Sequence, residues 1–307
     1  MNQCVDEVEW IPKDLALKLK KLGLNTLLDI LALPMTHLEK LRLNRQDLTE
    51  IMKNATIFLD NVSKGSKAFY KTITYKKISL GSNSLNELLS GGVRTGLVTD
   101  FFGASKTGKT QICFQLCVNL QLLDGENGAI FVDSSGTFRP ERVMEMARSI
   151  NLEKDVFNRI MVIRARSVNE QIEILRRLKN IPFNVRLLII DTLTDNFTFE
   201  YQDGERIIER QAKLAKHLHD LRSLAIRNDI AVVVTNTVRA KFDAEQNYYE
   251  VETGGNVVYQ GVHMRVHLSR DEYGLNAKLI QPPIAKPNAY FRIESEGIVD
   301  NGRYKKK

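Results

Sequence analysis

From residue 98 onward, short, largely apolar runs recur at spacings of about thirty residues, at 98–102, 129–133, 160–163, 187–191 and 231–235. A strand with one wet face alternates apolar and polar side chains, whereas these runs do not, which places protein on both sides of them. Amphipathic patterns with helical spacing fill the gaps, at 139–150, 168–179 and 206–227. Strands alternating with helices predict an α/β fold with a mostly parallel sheet covered on both faces. After Gly261 the rhythm changes to closely spaced strands at 264–268, 277–280 and 289–293, which predicts an antiparallel extension.

The first part of the chain reads differently. Between residues 11 and 58, apolar side chains recur three and four apart (Leu15, Leu19 and Leu22; Leu27, Leu28 and Leu31) and are interrupted by Gly23, Pro34 and Asn44. This predicts a small all-α domain over 1–60. A polar stretch at 61–77, containing Ser63, Lys64, Gly65, Ser66 and Lys67, reads as a linker entering the first core strand. Residues 78–307 form the expected core, with a basic tail at its end.

Composition narrows the class. With 43% apolar and 26% charged residues the chain is a folding sequence, and no apolar run reaches the roughly 18 residues that cross a bilayer. The start of the chain, with Asp6, Glu7 and Glu9 around Trp10, lacks the order of a signal peptide, so a cytoplasmic protein without a membrane partner is expected. Three cysteines form no disulfide framework, and Cys113 and Cys117 share one helix face, as core residues do. The net charge of +7 is unevenly spread: residues 1–80 carry +4, the last five carry +4, and the remainder −1. Either solvated ends or a phosphate-binding surface would explain that distribution.

One motif carries specific chemistry. Gly103, Ala104, Ser105, Lys106, Thr107, Gly108, Lys109 and Thr110 match the pattern G-x-x-x-x-G-K-[ST], between an expected strand and an expected helix. Glycines at 103 and 108 let successive backbone N–H groups approach phosphate oxygens. Lys109 supplies a charge to the outer phosphates, the Thr110 hydroxyl can ligate Mg²⁺, and the helix start adds a favourable dipole. A metal partner belongs at the end of a neighbouring buried strand, where Asp191 closes the run 187–191; Asp133 is a second strand-end acid. His263 and His267 on one strand, and His217 with His219 on a helix, do not converge on a metal ion. Glu209 and Lys213 read as an i, i+4 surface pair.

Around this loop the motifs fall into a recognisable order. Gly81 to Val93 precede it; Gln111, then Thr137, Phe138, Arg139, Pro140, Glu141 and Arg142 follow; then come the Asp191 strand, Glu209, Arg210 and Gln211, Val234, Thr235 and Asn236, and finally Gly254, Gly255 and Asn256. The order resembles that of the archaeal RadA recombinases and their eukaryotic counterparts, strongly over 78–300 and weakly over the first sixty residues. The resemblance implies a RecA-like P-loop NTPase core behind a small helix-hairpin-helix-like domain. It also implies ATP and Mg²⁺ at residues 103–110, with Arg142 among the ATP-binding residues and Thr110 and Asp191 on the metal. DNA would be met by two loops, with Arg239, Lys241, Phe242, Gly254, Gly255 and Asn256 as candidate contacts.

This chain departs from the family pattern at several of its working positions. Ser135 stands where active members carry a glutamate, and a serine hydroxyl cannot take the attacking water's proton at neutral pH. Thr237 replaces a phosphate-sensing glutamine, and Gln281 replaces the acid that caps the nucleotide of the next subunit. The stretch Val62, Ser63, Lys64 and Gly65 lacks the aromatic ring of the family's polymerisation motif, unless Phe69 takes its place. The expected hairpins at 11–14 and 41–45 lack the family's glycines, although Lys13, Lys18, Lys20, Lys21, Arg42 and Arg45 retain positive charge. By charge count the first DNA loop, 195–206, is −3 and the second, 238–256, is −2, with Phe197, Phe199 and Tyr201 of the first able to stack on bases.

Two readings follow from the resemblance. In the first the chain is a divergent RadA-like paralogue in homologous recombination and DNA repair, an accessory factor that binds ATP, hydrolyses it slowly or not at all, and partners a RadA-type recombinase, other paralogues or DNA. In the second it is an active DNA-dependent ATPase that forms filaments on single-stranded DNA and exchanges strands. A regulatory ATPase acting on proteins is a third class, disfavoured by the motif order.

Overall fold

The apolar runs become strands whose alternate residues serve two separate cores. Leu187, Ile189, Ala129, Phe131, Ala231 and Val233 face one side. Leu188, Ile190, Ile130, Val132, Val232 and Val234 face the other. Side chains of a strand point alternately up and down, so an unbroken apolar run is what a sheet covered on both faces requires.

The computed structural model describes residues 4–8, 11–21, 23–26, 29, 75–123, 125–178, 184–202, 206–242, 248–283 and 286–302. Backbone contacts divide the chain into units 1–74 and 75–307. In the first unit, α1 (Lys13–Lys21) buries Leu15, Ala16 and Leu19, and Val5, Val8 and Ile11 are buried beside them. Lys20 pairs with Asp6 at 2.5 Å. Leu17, one position off the buried stripe, is 59% exposed.

The second unit begins with β1 (Lys77–Ile78), α2 (Asn83–Leu88), β2 (Val93–Arg94), β3 (Val98–Gly103) and α3 (Lys109–Asn119). Then come β4 (Gly128–Asp133), α4 (Pro140–Arg148), β5 (Ile160–Arg164), α5 (Val168–Arg177), β6 (Val185–Asp191), α6 (Asp195–Glu200) and α7 (Ile207–Asn228). It closes with β7 (Ala231–Phe242), β8 (Tyr248–Glu252), α8 (Gly255–Gly261), β9 (Met264–Asp271), β10 (Gly274–Gln281), β11 (Ala289–Glu294) and β12 (Gly297–Asp300). The main sheet has the order β12-β11-β10-β9-β3-β7-β6-β4-β5, with β8 attached to β7. β9, β3, β7, β6, β4 and β5 are parallel, so their carboxyl ends line one edge, where open α/β sheets form their ligand crevice.

Two expectations hold only in part. The expected antiparallel extension is present, with β10 antiparallel to β9, β11 to β10 and β12 to β11, but its first strand, β9, also runs parallel to β3, with Thr99 level with Met264 and Gly103 level with Leu268. Close spacing in sequence identified the β9–β10 hairpin, but not the distant partner on the other side of β9. The run 231–235 is also only the start of β7, which continues to Phe242 and folds back as a ribbon onto β8.

Three phenylalanines lock the loop side of the sheet. Phe114 of α3, Phe131 of β4 and Phe138 before α4 lie with ring centroids 5.0 to 5.7 Å apart, so the helix after the glycine-rich loop and the segment after β4 share one apolar contact. Cys113 and Cys117 are buried on α3, and burial raises both thiols.

Asp300, at the end of β12, fastens that strand to α2. Asp300 accepts from the Ser82 hydroxyl at 2.5 Å, from the Asn83 amide at 3.1 Å and from the Ser84 amide at 2.9 Å. Partial burial opposes its charge, but the Ser82 hydroxyl and the donors of Ser84 and Asn83 prevail and hold the carboxyl at about 2. A carboxylate held below its ordinary 3.8 contributes stability above that pH, and the contribution disappears as pH falls towards 2. Asp300→Asn is therefore expected to cost about 1–2 kcal/mol at pH 7, and the gap between variant and wild type should narrow between pH 4 and about 2. Urea midpoints measured across that range check it.

Candidate functional site

The glycine-rich loop leaves the middle of the sheet, and its first residue is sterically confined. β3 lies between β7 and β9, with Gly103 level with Thr237 on one side and Leu268 on the other. A Cβ on Gly103 would stand 2.0 Å from the Leu268 carbonyl oxygen, so no side chain fits there. Gly108 begins α3 from a left-handed conformation, φ 96°. The eleven residues of α3 thus start with their amide ends toward the loop, the arrangement that favours an anion. Lys109 turns back over the loop, donating from Nζ to the carbonyls of Gly103 at 2.8 Å and Ala104 at 2.7 Å. Burial lowers its amine, with the charges of Asp191 and Asp195 working the other way. A cavity of about 340 Å³ opens beside Ala104, Ser105, Lys106 and Thr107, walled opposite by Glu250 and by Leu268, Ser269 and Arg270 at the end of β9.

Asp191, at the end of β6, is the centre of the polar contacts. Its Oδ2 accepts from Thr110 at 2.7 Å and Thr137 at 3.2 Å, and its Oδ1 accepts from Thr235. Three hydroxyls from α3, the segment before α4, and β7 therefore meet one carboxylate that is 3% exposed. Burial raises its pKa, while the hydroxyls of Thr235, Thr110 and Thr137 oppose that rise. A carboxylate and a threonine hydroxyl at the outlet of a phosphate-type loop form the donor set of a hard divalent cation. The residues present fit a metal-bound triphosphate: amides around the loop, one ammonium, a hydroxyl and a buried carboxylate.

The second strand-end acid serves the backbone. Asp133 accepts from the amides of Gly136 at 2.7 Å, Thr137 at 3.0 Å and Phe138 at 3.3 Å, and Arg164 reaches its Oδ2 at 3.4 Å. It shapes the turn after β4, leaving Asp191 as the acid of the loop. On that turn Ser134 exchanges hydrogen bonds with the backbone of Thr192, at 2.6 and 2.7 Å. Ser135 is exposed and donates to Asp195 Oδ2 at 2.8 Å, with the Thr192 hydroxyl 3.1 Å away.

Other anticipated site residues are distributed unevenly. Thr237 lies level with Gly103 on the neighbouring strand, and its hydroxyl is 3.4 Å from that of Thr253. The Arg142 guanidinium is committed to Gln111 at 2.7 Å, Glu145 at 2.8 Å and the carbonyls of Glu294 and Ser295, so it braces α3 against the β11–β12 turn. Gln281 donates to the Val262 carbonyl at 3.3 Å. Of the aromatic residues assigned to the first DNA loop, Phe197 and Tyr201 are buried, and only Phe199, 75% exposed, remains accessible.

The second loop carries less free negative charge than its composition suggests. Glu252 forms an ion pair with Arg265, a buried residue of β9 that also lies 3.5 Å from Asp100. Burial pushes Asp100 up to about 7 against the pull of Arg265. Glu250 lies 3.7 Å from His267. Arg239 and Lys241 occupy the alternate register positions, opposite Val251 and Tyr249, and Arg239 is exposed. Gly254 caps α8 at φ 89°, with Gly255 and Asn256 exposed at its start. The side chains of Lys241 and Phe242 lie outside the described residues, as do Val62 to Gly65, Phe69, the hairpin 41–45 and the tail 303–307.

Sequence reasoning named Lys109, Thr110 and Asp191, which the fold brings together. It missed the bonds of Thr137 and Thr235 to Asp191; the one signal was their presence in the motif order. Asp195 had been counted only as a loop charge. A family model described as Rad51 matches residues 71–301, about three quarters of the chain.

Gly103→Ala is expected to lower the unfolding free energy by about 2 kcal/mol or more, since the Leu268 carbonyl is backbone in a central strand and cannot step aside. Denaturant titration of the variant beside wild type checks it.

Proposed function

Because the chain belongs to the Rad51 family, whose domain carries a RecA-like recombinase and repair role, we propose that it is a RadA-like paralogue that binds Mg-ATP and assists homologous recombination. One observation carries this reading: Lys109 and Thr110 are held at the loop outlet by loop carbonyls and by Asp191, an arrangement suited to phosphate and a divalent cation. Residues 103–108 would surround the phosphates with amides, Lys109 would meet the outer ones, and Thr110 with Asp191 behind it would hold Mg²⁺. The metal supplies neutralisation of phosphate charge.

Turnover is slow in this reading, because Ser135, Thr237 and Gln281 replace three groups that the family uses in hydrolysis. Losing a general base alone costs about 10²–10⁴ in rate. The chain acts beside a RadA-type recombinase or other paralogues, and meets DNA through Arg239, Lys241 and Phe242 on the β7–β8 ribbon and through Gly254, Gly255 and Asn256 at the start of α8. Pairing of Glu252 with Arg265 supports that contact, since it removes a negative charge from the ribbon.

Equilibrium binding of Mg-ATP, measured with turnover in the presence and absence of single-stranded DNA, tests the proposal. Tight binding with turnover at least about 100-fold below that of an active recombinase is expected. Brisk DNA-stimulated turnover would support the filament-forming recombinase instead.

A further inference from the structure

The turn after β4 is held against the segment entering α6 by two serines. Ser134 already secures the two segments through its paired bonds with Thr192. Ser135 adds a contact of another kind, because its partner is the carboxylate of Asp195 at 2.8 Å. Where the family pattern places an acid at residue 135, this chain has a hydroxyl with an acid directly behind it.

The other carboxylates around this turn are committed. Asp191 has both oxygens bonded to threonines. Asp133 has both oxygens on the amides of its own turn and on Arg164. Asp195 differs: Oδ2 takes the Ser135 hydroxyl, and among the described residues no donor reaches Oδ1. It is half-buried on the segment that follows Asp191, and its partner Ser135 also lies 3.1 Å from the hydroxyl of Thr192, the residue next to Asp191, which puts the pair at the carboxyl edge of the sheet from which the loop also emerges.

We propose that Asp195 is the carboxylate that takes the proton of the attacking water, in the role lost at residue 135, and that Ser135 holds it in position. The inference rests on the Mg-ATP reading above. The water oxygen bonds to the terminal phosphorus as its proton passes to Asp195 Oδ1. The bond from that phosphorus to the bridging oxygen breaks, its electron pair leaves with ADP, and Asp195 then releases the proton to solvent. A carboxylate is competent for this at neutral pH and the Ser135 hydroxyl is not. Slow turnover is consistent with a base supplied from α6 while the groups lost at Thr237 and Gln281 remain missing.

The test compares wild type, Asp195→Asn, Ser135→Ala, Ser135→Thr and Lys109→Ala in single-turnover ATP hydrolysis, with Kd values for Mg-ATP and Mg-ADP and unfolding midpoints. Asp195→Asn should slow hydrolysis about 100-fold. It should also bind Mg-ATP severalfold more tightly relative to Mg-ADP, because a negative charge facing the extra phosphate is gone. Ser135→Ala should lose about tenfold in rate, with Ser135→Thr restoring it. A role confined to bridging two loops would move the midpoint and leave the ATP-to-ADP preference unchanged. The inference is overturned if Asp195→Asn hydrolyses at the wild-type rate, if it loses ATP affinity, or if wild-type turnover does not exceed that of Lys109→Ala while Mg-ATP still binds. Absence of nucleotide binding to wild type would instead remove the reading beneath it.

Discussion

A buried carboxylate must find donors or lose its charge, and Asp191 finds three hydroxyls on three different elements. Thr110 belongs to the helix after the glycine-rich loop, Thr137 to the segment before α4, and Thr235 to the strand lying between β3 and β6. Burial pushes its pKa up, and each hydroxyl opposes that. Loss of any one partner therefore affects the others, and the carboxyl edge of the sheet behaves as one polar unit. A metal ion arriving at Thr110 meets an oxygen set already in place.

The polar contacts continue outward from this centre. Asn236, one residue beyond Thr235, accepts from Thr194 at 2.6 Å and donates to Glu252 at 3.0 Å. Glu252 in turn pairs with Arg265 beside Asp100 of β3. The base of the β7–β8 ribbon is thus tied both to the segment following Asp191 and to the strand feeding the glycine-rich loop.

Much of this was legible along the chain, because it depends on neighbours in sequence. Unbroken apolar runs such as 187–191 identified strands buried on both faces, and Lys109 with Thr110 lies within one continuous motif. What escaped depends on residues brought together from afar. The parallel partner of β9 is β3, more than a hundred and fifty residues earlier, and no local spacing reports it. Counting charges along 238–256 treated Glu252 as free, although a buried arginine on another strand neutralises it. Phe197 and Tyr201 looked like stacking surfaces and proved to be core. Asp195 and Ser135 are sixty residues apart, so only the fold shows an acid standing behind the serine.

The most direct trial of the central claim, that Asp191 and Thr110 hold the metal of a bound triphosphate, is a calorimetric titration of ATP into wild type and Asp191→Asn across a series of Mg²⁺ concentrations. Wild type should bind ATP much more tightly as Mg²⁺ rises, and Asp191→Asn should lose most of that dependence while keeping its weaker, metal-free binding through Lys109. Equal Mg²⁺ dependence in the two proteins would contradict the account.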